Sequence, residues 1–351
     1  MSDFGFVVPG RLDQITGGYL YDRRMIEGLR GHGRDIAVHE LSGRFPDADA
    51  AARSAAAALL AGLPDGARLC IDGLALPGFD PVLAEHAGRL RVIALVHHPL
   101  ALETGLSAAS GAAYAALEAR LLRLCRGVLA PSGSSAAALR EYGLADERMA
   151  IVPPGLDRPQ HVPRRRSGGP VRLLSVGTVT PRKGHVLLVE ALAAAAALPW
   201  HLTIIGSLER DPETVRRLRA AIAAAGLEGR ATLLGECPPA RVSAAYADAD
   251  VFVLPSYYEG YGMVFGEAMA YGLPIVATTG GAIPGTVPAA AGILVPPGDR
   301  AALAVALAKL IDHEELRENF AHGAAEAAAV LPDWRQASFN FGVAVDRLSA
   351  D

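Results

Sequence analysis

Short apolar runs alternate with longer, alanine-rich amphipathic stretches along almost the whole chain. In the first half, Phe4–Val8, Leu69–Asp72, Val92–Val96, Gly127–Ala130 and Ile151–Val152 have the length and apolar character of buried strands. Helices are expected between them, around Tyr19–His32, Ala50–Ala61 and Ala112–Cys125. The pattern then breaks. Pro153, Pro154, Pro159, Pro163 and Pro170 fall in one stretch with the basic run Arg164-Arg165-Arg166. Proline fixes φ and lacks a donor, so this stretch reads as a linker. The alternation resumes with strands expected at Val171–Val176, Trp200–Ile205, Ala231–Leu234, Val251–Leu254, Ile275–Thr278 and Gly292–Leu294. Its helices are expected near His185–Ala197, Pro212–Ala225, Ala240–Ala247, Met263–Tyr271 and Arg300–Asp312. Such alternation builds a mostly parallel sheet with crossover helices. Its restart after the linker predicts an α/β chain of two Rossmann-like domains, 1–160 and 161–332.

Composition narrows the function classes. The chain has 351 residues, 51% of them hydrophobic and 20% charged, with a net charge of −4. That is enough apolar material for two cores and argues against disorder or a nucleic-acid-binding surface. The longest apolar runs, Ala55–Leu63 and Ala191–Leu198, are far shorter than the roughly 18 residues of a membrane span. Met1-Ser2-Asp3-Phe4 does not open a signal peptide, and the scattered Cys70, Cys125 and Cys237 form neither a disulfide framework nor a metal-ligand spacing. A cytoplasmic location is therefore expected.

In doubly wound sheets ligands bind beyond the carboxyl ends of the strands, so the loops that follow strands carry the interest. The richest runs from Pro255 through Glu259, Gly260, Tyr261, Gly262, Met263 and Val264 into a helix that holds Glu267. Its glycines permit close backbone approach, the helix start offers N–H groups to an anion, and a carboxylate suits vicinal sugar hydroxyls. A glycine-rich turn with one solvated and one capping glutamate is the plainer alternative. After the strand ending at Val176 comes Gly177-Thr178-Val179-Thr180-Pro181-Arg182-Lys183-Gly184, where Arg182 as a fork and Lys183 as a point charge could clamp a diphosphate. Two solvated cations are the bland reading. Thr279-Gly280-Gly281 follows another strand, and in the first half Gly17-Gly18 precedes a helix while His97 follows a strand. Asp248-Ala249-Asp250 looks like a metal-holding pair, but it stands at a strand's entry end and reads as structural. No G-x-G-x-x-G turn starts at Gly10, which removes the nicotinamide-binding fingerprint.

These residues together resemble glycosyltransferase family 4, retaining enzymes of the glycosyltransferase-B fold, in which two Rossmann-like domains face each other across a crevice. The resemblance rests on Glu259 and Glu267 eight residues apart, with Gly260-Tyr261-Gly262 and Ala268-Met269-Ala270. It extends to Gly177 with Arg182-Lys183-Gly184, Gly280-Gly281, Gly17-Gly18, Leu29-Arg30-Gly31-His32, His97 and Pro154-Gly155-Leu156-Asp157. It implies a nucleotide diphosphate sugar as co-substrate, UDP- or GDP-linked, with no cofactor and no metal. Glu267 would hold the ribose. Glu259 and the amides of Gly262, Met263 and Val264 would meet the transferred sugar and the β-phosphate. Arg182, Lys183 and the amides of Gly17-Gly18 would take the diphosphate, and His97 would lie against the sugar. The last helix, within 333–351, would cross back to the first domain. Two positions depart from the family pattern: Thr178 stands where many members carry arginine, and Gly285 where an acidic residue is common.

The expected activity is metal-independent transfer of a hexose with retained configuration, His97, Arg182, Lys183 and Glu259 forming the catalytic set. A catalytically silent nucleotide-sugar-binding protein, or a same-fold epimerase or hydrolase, is the alternative. The acceptor is not legible. Arg11, Asp13 and Glu103 lie in the loops that would face it. Arg120, Arg123 and Arg126 could touch anionic lipid, but a solvated basic helix edge explains them more simply.

Overall fold

A computed structural model describes residues 3–160 and 168–350. Met1, Ser2, Pro163 and the run Arg164-Arg165-Arg166 lie outside the described residues. The chain divides into two compact units, 1–155 with 332–351, and 156–331.

The first unit begins with β1 (Phe4–Pro9), α1 (Gly17–Gly31), β2 (Ile36–Leu41), α2 (Ala50–Gly62), β3 (Arg68–Asp72) and α3 (Leu83–His86). It continues with β4 (Arg91–Leu95), α4 (Ala108–Leu124), β5 (Gly127–Ala130), α5 (Gly133–Arg140) and β6 (Met149–Ile151). The strands form one parallel sheet in the order β2-β1-β3-β4-β5-β6. The order reverses between β1 and β3, which is where a doubly wound sheet opens a crevice at its carboxyl edge. One strand departs from the sequence reading. β2 pairs with β1 at the sheet edge and carries His39 and Glu40, so its apolar run is broken and reads as a loop.

The second unit holds β7 (Val171–Val176), α6 (His185–Ala193), β8 (Trp200–Ile205), α7 (Pro212–Ala224), β9 (Ala231–Leu233), α8 (Pro239–Asp248) and β10 (Val251–Leu254). It ends with α9 (Met263–Ala270), β11 (Ile275–Thr278), α10 (Ile283–Thr286), β12 (Gly292–Val295), α11 (Arg300–Asp312) and α12 (Glu314–Ala329). Its parallel sheet has the order β12-β11-β10-β7-β8-β9. The switch point lies between β7 and β10, so the two loops richest in chemistry leave adjacent strands. Leucine, isoleucine and valine from both faces of this sheet pack against α6, α7 and α11 on one side and α9 and α12 on the other.

A last helix, α13 (Trp334–Ser349), belongs to the first unit and lies on α1. At the crossing Gly28 leaves no room for a side chain, because a Cβ there would stand 2.3 Å from Ser338 Oγ. Phe341 stacks on Phe6, with ring centroids 6.0 Å apart. Asp346 takes a bidentate pair from Arg34 and a 3.1 Å bond from Arg68.

Candidate active site

In the second unit the loop after β7 and the loop after β10 are built around one carboxylate. Glu259 is 5% exposed, so the solvated-turn reading fails for it. Its Oε1 accepts from Lys183 Nζ at 2.6 Å and from Ser256 Oγ at 2.6 Å, and its Oε2 accepts from Arg182 Nη1 at 3.2 Å. Burial alone would raise this carboxyl, but Lys183 and then Arg182 outweigh it and hold the group down at about 2. Two cations thus converge on one buried carboxylate.

Glycine makes the arrangement possible. Gly184 adopts φ +71°, and a Cβ there would meet the Pro255 carbonyl oxygen at 2.3 Å, so only glycine lets the cation loop press against the β10 loop. The backbone then ties the loops together, the Tyr257 N–H donating to the Arg182 carbonyl at 2.8 Å. Arg182 also donates to the Tyr258 carbonyl at 2.9 Å, and the Lys183 stem lies beside Gly177. Thr178, next along the β7 loop, is partly buried. The Thr279–Pro284 segment supports the β10 loop from behind: the Ala282 N–H donates to the Glu259 carbonyl at 2.8 Å.

Gly262, at φ +84°, is the N-cap of α9, so Met263 and Val264 open the helix with N–H groups that lack intrahelical partners. Gly260, Tyr261, Met263 and Val264 are each partly buried. Glu267 lies one turn further on, where its Oε2 accepts from Tyr246 Oη at 2.8 Å. Tyr246 is buried and stacked on Tyr271. Burial and then the Glu267 charge push its hydroxyl well above the ordinary range, so it stays a donor. Gly285 is exposed, with open space where a side chain would stand.

In the first unit, Gly17 and Gly18 are the first residues of α1 rather than a loop before it. Gly18 lies against the His97 ring, a Cβ there falling 3.3 Å from Cδ2. His97 Nε2 is 3.0 Å from Asp22 Oδ1 and 3.7 Å from Asp72 Oδ2. Burial lowers the His97 pKa, and the Asp72 charge offsets this only in part, so the ring is neutral near pH 7. Burial also raises both carboxyls, Asp22 to about 7, and for Asp72 the facing Asp22 adds to the rise. Among the described residues these three form the one group whose ligand-type atoms converge, all within 4.8 Å of one another. The loop after β4 is anchored by buried Glu118, which accepts from the Leu100 N–H at 2.9 Å and from Tyr142 Oη at 3.2 Å.

Asp248 and Asp250 are a strut. Arg172 donates through Nε and Nη2 to Asp250 and through Nη1 to Asp248, and the Arg172 N–H adds a fourth bond at 2.9 Å. They stand at the entry end of β10, away from the loops above. Arg11 and Asp13 form an exposed pair with each other, while Glu103 faces His98.

Sequence reasoning missed Asp22, Asp72, His185, Tyr246 and Ser256. Asp72 ends a strand at the ligand edge, which was a usable signal. Asp22 occupies an apolar position of α1, in register with Met25, Ile26 and Leu29. His185 is fully buried with neither ring nitrogen partnered among the described residues, and burial together with Lys183 holds it neutral at about 3.

A family model described as Glycosyl transferases group 1 matches residues 158–327, and one described as Glycosyltransferase Family 4 matches residues 24–159. The chain belongs to glycosyltransferase family 4. WcaL of Salmonella typhimurium, assigned provisionally to glycosyl transfer in colanic acid biosynthesis, is 35% identical over 51% of this chain and 46% of its own length. D-inositol 3-phosphate glycosyltransferase of Corynebacterium efficiens is 31% identical over 54% of this chain and 49% of its own. The chain thus spans about half the length of the curated relatives it matches. Among solved structures, sucrose-phosphate synthase from Thermosynechococcus elongatus superposes with a TM-score of 0.82 at 20% identity, covering 98% of this chain and 99% of that one. Anabaena HepE, solved with UDP and glucose, gives 0.77 at 18%, covering 99% and 100%. The family-4 chain therefore has the two-domain α/β fold of these neighbours. Among the described residues no helix is long and apolar enough to cross a membrane.

Proposed function

We propose that the protein transfers a hexose from a UDP- or GDP-linked sugar to an acceptor, with retained configuration and without a metal or other cofactor. The observation that carries this reading is the buried Arg182–Lys183–Glu259 cluster at the β7/β10 switch point, in the loop that runs on into the helix carrying Glu267. A nucleoside diphosphate asks for what these loops offer: cations and helix-start amides for phosphate, and a carboxylate for a ribose diol. HepE, of the same fold, is described in complex with UDP and with UDP-glucose.

As the bond between the anomeric carbon and the phosphate oxygen breaks, negative charge grows on that oxygen. Arg182, Lys183 and the amides of Met263 and Val264 stabilise it, an interaction stronger in the transition state than in the ground state. The acceptor hydroxyl adds on the face the phosphate leaves, and its proton passes to the departing phosphate oxygen. Arg182 and Lys183 take the part a cation would play, while Asp248 and Asp250 are occupied by Arg172.

The test is incubation with a panel of nucleotide sugars and acceptors, with mass spectrometry of the products and NMR of the new anomeric centre. A product with the donor's configuration, formed equally after EDTA treatment, supports the reading. Nucleotide-sugar binding with no product from any acceptor points to a silent binding protein. Activity abolished by EDTA and restored by magnesium or manganese overturns metal independence.

A further inference from the structure

Asp22 is a carboxyl where α1 calls for a hydrocarbon. It is 0% exposed and lies on the face that buries Met25, Ile26 and Leu29. Burying an ionisable group at such a position is costly unless neighbours compensate. Here the neighbours come from separate elements: Asp72 at the end of β3, within hydrogen-bonding reach, and His97 in the loop after β4. Cys70 of β3 also faces the pair, as a neutral thiol that burial pushes further up. One oxygen of Asp22 takes His97 Nε2 at 3.0 Å, and the other has no partner unless Asp22 and Asp72 share a proton. The ring is packed as well as bonded, with Gly18 against its Cδ2 edge and Tyr21 edge-on at 5.3 Å between centroids. No partner falls on His97 Nδ1 among the described residues, and the side chain keeps 21% exposure.

We propose that Asp22 is a positioning residue: by accepting the Nε2–H of His97 and sharing a proton with Asp72, it fixes the imidazole in one orientation and one tautomer. Nδ1 is then the nitrogen left to a ligand, and it presents a lone pair, so it accepts from a hydroxyl. A buried carboxylate behind an imidazole acts in this way wherever the tautomer matters, by making the other nitrogen's role unambiguous. The inference rests on the reading of His97 as a residue that meets the donor sugar. The positioning itself involves the first unit alone.

The experiment uses full-length protein with nitrogen-15-labelled histidine, with the His97 ring signals assigned by their loss in His97→Gln. In the wild type the spectrum is expected to show a single tautomer with the proton on Nε2 across pH 6–8. Asp22→Asn can donate as well as accept, so it is expected to give a mixture of tautomers, and Asp22→Leu a shifted, broadened ring signal. Both variants are expected to lower kcat/KM for the donor by roughly 10- to 100-fold, with the loss in kcat. Affinity for the nucleoside diphosphate should stay unchanged. Should Asp22→Leu fail to fold, Asp22→Asn carries the test alone, since it keeps shape and polarity. The proposal is overturned if the His97 signals are the same in Asp22→Asn as in the wild type. It is overturned equally if the wild type binds one manganese ion and Asp22→Asn does not, because the cluster is then a cation site. The spectra need no turnover: a tautomer change without any transferase activity leaves the positioning standing and sinks the transfer reading, and the reverse result does the opposite.

Discussion

Replacing Lys183 with methionine keeps the stem of the side chain and removes its charge, leaving Glu259 with Arg182 and Ser256. Lys183 and Glu259 are 14% and 7% exposed as side chains, so solvent screens little of their interaction. Holding Glu259 at about 2 rather than 4.5 corresponds to roughly 3 kcal/mol of stability at neutral pH. Lys183 is the largest of the attractive contributions, and stranding one member of a buried pair costs about 3–5 kcal/mol when nothing else compensates. With Arg182 and Ser256 still in place, Lys183→Met is expected to cost about 2–3 kcal/mol, or about 5–10 °C in the melting temperature of a domain this size. The pH dependence has a definite sign. A carboxyl depressed in the folded state contributes stability that is complete above its unfolded value and fades as pH falls from 4.5 through 2. Less than half of the contribution remains at about pH 3, so the gap between variant and wild type should narrow on acidification. Glu259→Gln should flatten the same dependence, and the double variant should be less destabilised than the two single effects added together. Urea titrations at pH 7 and pH 3 on all four proteins make the measurement. Equal stability of Lys183→Met and wild type at pH 7, or a gap of the same size at both pH values, would refute the ion-pair account of these loops.

Glu267→Ala is expected to weaken binding of the nucleoside diphosphate about 10- to 100-fold, since a hydrogen bond to a charged group contributes about 1.5–3 kcal/mol, and to cost about 1–3 kcal/mol of stability by stranding the buried Tyr246 hydroxyl. Tyr246→Phe should weaken it only a few-fold. Calorimetric titration beside a thermal melt separates this from a purely structural role, in which stability falls and affinity does not. Arg172→Ala should act on stability alone, costing about 1–3 kcal/mol by leaving Asp250 with the backbone N–H of residue 172 but without the guanidinium, while donor affinity is unchanged. A loss of donor affinity in that variant, or its rescue by a divalent cation, would return Asp248 and Asp250 to the reaction.

Local pattern revealed the second unit more fully than the first. Its strands are continuous apolar runs because both faces are covered, and each of its chemical loops follows such a run. Lys183, Glu259 and Glu267 could therefore be named before any geometry was known. The first unit hid an edge strand, because Ile36–Leu41 alternates in character where its outer side is uncovered. The linker's prolines put the expected boundary at 160, while the compact units change at 155, directly after Pro153-Pro154. The helices α5 and α12 went unread for a related reason: their apolar faces are mostly alanine, which serves a helix without marking which side is inward.

What pattern could not supply is pairing across the fold. Glu259 read as an open loop carboxylate because Arg182 and Lys183 are more than seventy residues away in sequence, and nothing local announces that they turn to meet it. Asp22 carries no mark in the local pattern, since its cost appears only once the face it occupies is known to be buried. Both cases have one physical form. A carboxylate placed inside is tolerable only when groups from other strands of the sheet complete it, so the sequence signal is an acid at an apolar position of a regular element or directly after a buried strand. By that criterion Asp22 and Asp72 are as distinctive as Glu259. Each sits at the switch point of its own sheet, where strand order reverses and the carboxyl edge opens, which is why the same physical argument picks out a site in both units.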